Sequence, residues 1–255
     1  MKNTNTYYEY DRIADQKRVD FITNVLTDVR SADMRILDVG CGNGVISRHL
    51  GRANFNVVGI DVSEKTIEKA KSLTSMQNVS FMKKSAEELV ADGQRYDAII
   101  CSEVLEHLND PGSLLSVLRE SLTDDGKLII TVPNGKGPRE RFVTKPVLSM
   151  RKKNNLLWRM IVGVKKMMGY QGTTVQSDAD NLDHVQFFSK NDLKDLSKSH
   201  NFRITKIGKA NFVEDVFPFS FLARRIKALQ KLDCKIADML PANFSGGFFT
   251  VWEKC

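Results

Sequence analysis

Residues 36–47 read Ile36-Leu37-Asp38-Val39-Gly40-Cys41-Gly42-Asn43-Gly44-Val45-Ile46-Ser47. Ile36 to Val39 form the short apolar run of a buried strand, the three glycines mark a tight turn, and a helical pattern begins at Val45. Strand, turn and helix start predict an α/β unit whose backbone N–H groups converge on an open strand end. The spacing is G-x-G-x-G, whereas dinucleotide folds carry G-x-G-x-x-G, and Asp38 stands immediately before the loop. An acid at that place repels a pyrophosphate and suits a cationic amino group. Downstream, Phe55-Asn56-Val57-Val58-Gly59-Ile60-Asp61 reads as a second strand ending in an acid, placed to accept hydrogen bonds from a ribose diol. The pair of acids predicts a ligand with a ribose and a positively charged end.

Two further strand-end motifs follow, YDAIICSEVLEHLNDP from Tyr96 and LTDDGKLIITVPN from Leu122. Together with LDVGCGNG and VVGIDVS, in this order and spacing, they resemble the class I S-adenosylmethionine-dependent methyltransferases. The resemblance implies an α/β, Rossmann-like, seven-stranded, mostly parallel sheet with an antiparallel last strand and helices on both faces. It implies S-adenosyl-L-methionine as cofactor. The methionine end would be seated by Asp38, Gly40, Cys41, Gly42 and Gly44, and the ribose by Asp61 with Val62 beside it. Ser85, Ala86 and Glu87 fall where the family contacts adenine, with Ser85 in the place usually held by an acid; Ser102 ends the next strand.

At 255 residues and ordinary apolar content, one large domain spanning residues 1–255 is expected. Cys41, Cys101, Cys234 and Cys255 are scattered, with no C-x-x-C pair, which suits small apolar filler in a reducing compartment better than a disulfide or zinc framework. The polar start lacks a signal-peptide core and no apolar run reaches membrane-spanning length, so a cytoplasmic protein is expected, with docking to the inner face of a membrane left open. The net charge of +7 is concentrated. Lys136, Arg139, Arg141, Lys145, Arg151, Lys152, Lys153, Arg159, Lys165 and Lys166 face only Glu140 as an acid between Lys136 and Gln176.

In chain order, Tyr7, Tyr8 and Tyr10 precede one or two helices ending near Val29, and in the resembling family such a segment, here residues 1–30, folds over the cofactor as a lid. Ser63 is an N-cap for the helix from Glu64. A third strand is expected over Asn78–Met82, a fourth over Tyr96–Cys101, a helix from Asp110-Pro111 through Leu122, a turn at Asp124-Asp125-Gly126, and a fifth strand over Lys127–Val132. The basic insertion of residues 136–180 then places Leu156, Met160, Ile161, Val164 and Met168 at helical spacing among cations, an amphipathic pattern that fits an anionic membrane surface. Ser189 caps a helix to about His200, Phe202–Ile207 is a sixth strand, residues 212–243 form an aromatic and basic crossover, and Gly247–Glu253 closes the sheet.

Glu103, Glu106 and His107 stand at i, i+3 and i+4, so on a helical turn they share one face toward the donor. One reading gives His107, or the distant His184, the proton of a hydroxyl acceptor. A second has Glu103, Glu106, His107 and His184 bind a divalent cation that acidifies the hydroxyl. In a third these side chains are structural. The E-x-x-E-H pattern is similar to one in ubiquinone-biosynthesis O-methyltransferases and in small-RNA 2′-O-methyltransferases, where it implies Mg²⁺. The function these readings favour is O-methylation of a small or lipid-linked hydroxylated acceptor, a quinone or glycan. A metal-dependent RNA ribose methyltransferase and a non-catalytic cofactor-binding or membrane-docking protein are the alternatives, and RNA fits less well because stacking aromatics are few in the basic segment.

Overall fold

The computed structural model describes residues 7–91, 93–144, 185–216, 219–223 and 225–255. Its centre is a seven-stranded sheet: β1 (Arg35–Val39), β2 (Asn56–Asp61), β3 (Val79–Lys83), β4 (Tyr96–Ser102), β5 (Leu122–Pro133), β6 (Phe202–Lys209) and β7 (Gly247–Lys254). The spatial order is β3-β2-β1-β4-β5-β7-β6, with β7 running antiparallel between β5 and β6 and the other pairs parallel. The expected sheet is borne out. The chain order reverses between β1 and β4, the switch point outside whose strand ends open α/β sheets bind ligands.

Both faces are covered. One core cluster packs Leu37, Ile99, Leu128 and Trp252 with Leu114, Leu115 and Leu118 of a helix at Pro111–Ser121. The other packs Ile36, Ile100 and Ile129 with Ile22, Val25 and Leu26 of α1 (Ile13–Asp28) and with Val45, Ile46 and Leu50 of α2 (Val45–Arg52). Alternate residues of β1, β4 and β5 thus divide between two apolar layers, as a parallel sheet covered on both sides requires.

Among the described residues the other α-helices are α3 (Glu64–Ser72), α4 (Glu87–Ala91), α5 (Pro111–Ser121), α6 (Lys190–Ser199), α7 (Phe219–Ala223) and α8 (Lys227–Met239). Ser63 caps α3 by accepting from Thr66 N at 3.4 Å, and Ser189 with Asp192 closes a reciprocal capping box on α6.

The turn expected at Asp124-Asp125-Gly126 is absent. β5 begins directly at Leu122, and residues 123–126 are absorbed where the register steps from Tyr96↔Leu122 to Ala98↔Lys127. A bulge lets the extra residues leave the ladder without ending the strand. The N-terminal segment is one helix, α1, whose start is tied to the crossover. Arg12 pairs with Glu214 at 3.0 Å and Asp215 at 2.9 Å, Ile13 N donates to Gln230 Oε1 at 3.0 Å, and Lys17 reaches Asp238 at 2.7 Å. The amphipathic part of the basic insertion, including Leu156 to Met168, lies outside the described residues, as does His184. Among the described residues no helix is long and apolar enough to cross a membrane. Cys41, Cys101 and Cys234 are buried free thiols, as filler cysteines should be, whereas Cys255 is exposed and does not fill the core.

Candidate cofactor and active site

Gly40, Gly42 and Gly44 all take left-handed backbone conformations, so the chain turns away from β1 within five residues. Gly40 and Gly44 are also held by space. A Cβ at Gly40 would stand 2.5 Å from Val104 Cγ2, and one at Gly44 2.4 Å from Phe81 Cζ. The amides of this loop do not all point to an open ligand site. Cys41 N donates to Ile60 O at 2.9 Å, Gly42 N to Asp61 Oδ2 at 3.0 Å and Gly44 N to Cys41 O at 2.9 Å. They brace the loop on the end of β2 instead. The Cys41 side chain joins Ile67, Val79 and Phe81 in a small apolar cluster, and burial pushes its thiol upward.

Asp61 is fixed at the tip of β2 by two backbone donors, Gly42 N on Oδ2 and Ser63 N at 2.8 Å on Oδ1. A carboxylate has lone pairs beyond those two bonds, enough to receive a vicinal diol. Val62 beside it is well exposed. Asp38 is buried at the end of β1, where Ser47 Oγ donates to Oδ2 at 2.6 Å. Burial first, and the charge of Asp61 in addition, push its carboxyl up to about 7. An acid held near neutrality gains most from a cationic partner.

At β3, Ser85 is engaged locally. Its N–H donates to Glu88 Oε2 at 2.7 Å, and its hydroxyl accepts from Glu88 N at 3.4 Å. This is a capping box opening α4, with an S-x-x-E signature that reading the segment for adenine contacts passes over. Ala86 is buried and Glu87 is exposed.

The tip of β4 departs from expectation. Glu103 takes φ 58°, a left-handed value rare outside glycine, and only Leu105–His107 form a 3-10 turn. Glu103 therefore leaves the helical face expected to unite it with Glu106 and His107. Its carboxylate accepts from Thr131 Oγ1 at 2.9 Å, and Ser102 Oγ lies 2.8 Å from the same hydroxyl. Since Thr131 gives its one proton to Glu103, Ser102 donates to Thr131, and both hydroxyls are buried. Glu106 points inward at 1% exposure, and neither carboxyl oxygen has a hydrogen-bond partner among the described residues. Burial, then the nearby Glu103 charge, push it well above the usual carboxylate range. His107 Nε2 lies 3.8 Å from Glu106 Oε1. The Glu106 carbonyl accepts from Val185 N and Gln186 N at 2.8 and 2.9 Å, so the returning chain is seated on this turn.

Arg18 of α1 is the residue that sequence reasoning missed. It is buried, with Nη1 3.3 Å from Glu103 and Nη2 3.2 Å from Asp15, and its guanidinium lies 5.6 Å from the Tyr10 ring centroid. Tyr10 is buried too, its hydroxyl pushed up to about 12 by desolvation, whereas Tyr8 stacks on His49 with centroids 5.4 Å apart. The signal for Arg18 was a cation on the apolar stripe Ala14, Arg18, Ile22, Val25, where a basic residue needs a buried acid.

The family model for a methyltransferase domain matches residues 10–207. The chain belongs to the methyltransferase-domain family. Its resemblance to class I S-adenosylmethionine-dependent methyltransferases is thus borne out. It is 31% identical over 126 residues to a ubiquinone biosynthesis O-methyltransferase of Cereibacter sphaeroides, covering 49% of this chain and 51% of that protein. It is 37% identical over 101 residues to the Coxiella burnetii protein of the same name, 39% of this chain and 43% of that one. The chain spans about half the length of the curated relatives it matches. Among solved structures, magnesium protoporphyrin IX methyltransferase from Synechocystis PCC 6803 with bound S-adenosylhomocysteine (SAH) superposes with a TM-score of 0.55 at 19% identity, covering 95% of this chain and 84% of that one. A [4+2]-cyclase superposes at 0.57 with 16% identity, covering 98% and 86%, so the shared fold alone does not fix the reaction.

S-adenosyl-L-methionine is the cofactor of this family, and the chain carries a donor set at the tips of β1 and β2 that can be set against it. The glycine turn is kept tight by Val104 and Phe81, Asp61 keeps carboxylate lone pairs beyond its two backbone bonds, and Asp38 is a buried acid pushed up to about 7, a donor set chemically compatible with a ribose and an amino cation. Among the described residues no group of three or more His, Cys, Asp or Glu is arranged to hold a metal ion.

Proposed function

We propose that the protein transfers the methyl of S-adenosylmethionine to an oxygen of a small or lipid-linked hydroxylated acceptor, a quinone or glycan. The cofactor supplies a methyl already activated on a sulfonium. The chain has to hold donor and acceptor in line and keep water out, a matter of proximity and orientation. Asp38 and the glycine turn seat the methionine end, Asp61 the ribose, and Ala86 with the backbone beside Ser85 lies along the adenine.

The acceptor lies against the tips of β4 and β5, and His107 takes its hydroxyl proton at a ring nitrogen as the new C–O bond forms. The observation that supports this reading is the His107–Glu106 contact of 3.8 Å at the tip of β4, beside an acid that burial keeps neutral. Arg18 supports the same tip by neutralising Glu103. The oxygen-directed reading draws on relatives named for O-methylation in ubiquinone biosynthesis.

The test incubates the full chain with methyl-labelled S-adenosylmethionine and fractionated cell extract, with and without chelator. Label should enter a quinone, lipid or glycan fraction as a base-stable ether, and His107→Gln should retain cofactor binding while losing transfer. Label appearing on nitrogen or carbon would overturn the oxygen-directed reading. Transfer abolished by chelator would reassign Glu103, Glu106 and His107 to a divalent cation.

A further inference from the structure

A cation-lined recess lies apart from the glycine turn, where β5 ends. It is a cavity of about 250 Å³ whose walls include Asn134, Lys136, Arg141, Ser189, Lys190 and Phe244, and no carboxylate lines it among the described residues. Its floor is rigid. Asn134 is buried, its Nδ2 donates to Ser245 O at 2.8 Å and Asn243 O at 3.2 Å, and its Oδ1 accepts from Lys136 N at 3.0 Å. Gly135 N donates to Phe188 O at 2.8 Å, which ties this tip to the segment leading into α6.

The charge around the cavity is unbalanced. Lys136, Arg141 and Lys190 face it, and the acids nearest in chain are committed elsewhere. Asp192 holds the cap of α6 through Ser189 N at 2.8 Å and reaches Lys136 only at 3.9 Å, while Glu140 is buried and does not line the recess. Lys136 Nζ donates to Ser189 Oγ at 3.3 Å, at the positive end of a ten-residue helix. Three cations answered by one acid stand at the rim of a small recess whose own wall is mostly carbon, an arrangement that matches a compact charged group at the mouth joined to an apolar body within. Two strands separate β5 from β2, and one, β4, separates it from β1. At about 4.8 Å per strand the end of β5, from which the recess opens, stands about 10 Å from the end of β1, so an extended acceptor can run from one toward the other.

We propose that this recess is an anion subsite that takes a phosphate group carried by the acceptor, with the reacting hydroxyl directed toward the tips of β4 and β1. The inference deepens the methyltransferase reading and rests on it. Phosphate can arrive on a soluble phosphorylated acceptor or on a lipid head group. The fork of Arg141 and the point charges of Lys136 and Lys190 serve both.

The test titrates inorganic phosphate into the full chain by calorimetry, alone and with SAH, for the wild type, for Lys136→Ala with Lys190→Ala, and for Lys136→Arg with Lys190→Arg. Wild-type binding should saturate, weaken about tenfold or more in the alanine pair as two charge-assisted contacts are lost, and return in the arginine pair. SAH affinity should stay with the wild type, because the recess lies apart from the glycine turn, and the melting temperature should change little, because the Lys136 side chain is largely exposed. Vesicles containing phosphatidic acid that compete with phosphate, where glycerol phosphate does not, would identify a head group as the source; the reverse would identify a soluble acceptor. Phosphate that fails to saturate, or saturates equally in the alanine pair, overturns the subsite. If SAH itself fails to bind, the methyltransferase reading falls, whatever phosphate does.

Discussion

Arg18 Nη1 stands 3.3 Å from Glu103 Oε1, so a helix that precedes the first strand holds the acid at the end of β4. The two residues are 85 positions apart in sequence. Their pairing sets a cation against an acid in a left-handed backbone conformation whose carboxylate also accepts from Thr131, the partner of Ser102. It also joins α1 to the tip where the acceptor is proposed to lie.

Removing the cation should therefore cost more than a surface pair would. Arg18→Leu takes the shared cation from Glu103 and Asp15, and because both acids are partly exposed a loss of about 1–2 kcal/mol is expected, less than for a fully buried pair broken from one side. Urea denaturation of Arg18→Leu, Glu103→Gln and the double variant measures it. The double variant should recover part of the loss; three curves within experimental error of the wild type would show the pair to be incidental.

Glu106 gives a pH dependence whose sign is fixed by its burial. Its folded pKa lies above its ordinary value of 4.5, so between those two values the native state holds a proton that the unfolded chain has released. The stability it contributes is complete below about 4.5 and declines as pH rises toward the folded value. Glu106→Gln, neutral at every pH, should flatten that decline above pH 5 in thermal melts. A variant whose stability falls with pH as steeply as the wild type would mean that Glu106 is ionised in the native protein.

Asp38 predicts the reverse trend for ligand binding. With its carboxyl near 7, part of the population is protonated at neutral pH, and a bound ammonium favours the ionised form. SAH affinity should rise with pH up to about 7, by at most about tenfold per pH unit, and then level off. Calorimetry in buffers of different ionisation enthalpy should detect proton release at pH 6 and little at pH 8. Asp38→Asn should bind more weakly with no such slope.

Much of the frame was legible because its signals are local. The glycine turn after β1, the acid ending β2, the Ser63 and Ser189 caps and the continuous apolar runs of β1 and β4 each depend on neighbours a few residues away. The parts that were not legible depend on distant partners. Arg18 has meaning only once Glu103 is placed beside it, and Arg12 only with Glu214 and Asp215. E-x-x-E-H suggested one helical face, but the chain breaks at Glu103 because its backbone N–H goes to Thr131 O of the adjoining strand at 2.9 Å. Asp124-Asp125-Gly126 carries turn chemistry that strand pairing absorbs as a bulge, and Ser85 was read for a ligand where a local capping box claims it.

The central claim is that two acid-tipped neighbouring strands bind a charged nucleoside, and Asp61 tests it most directly. Isothermal titration of SAH into the wild type and Asp61→Ala should give one saturable site, weakened about a hundredfold or more in the variant as two charge-assisted hydrogen bonds to the ribose are lost. No binding to the wild type, or an affinity unchanged in Asp61→Ala, would contradict the account.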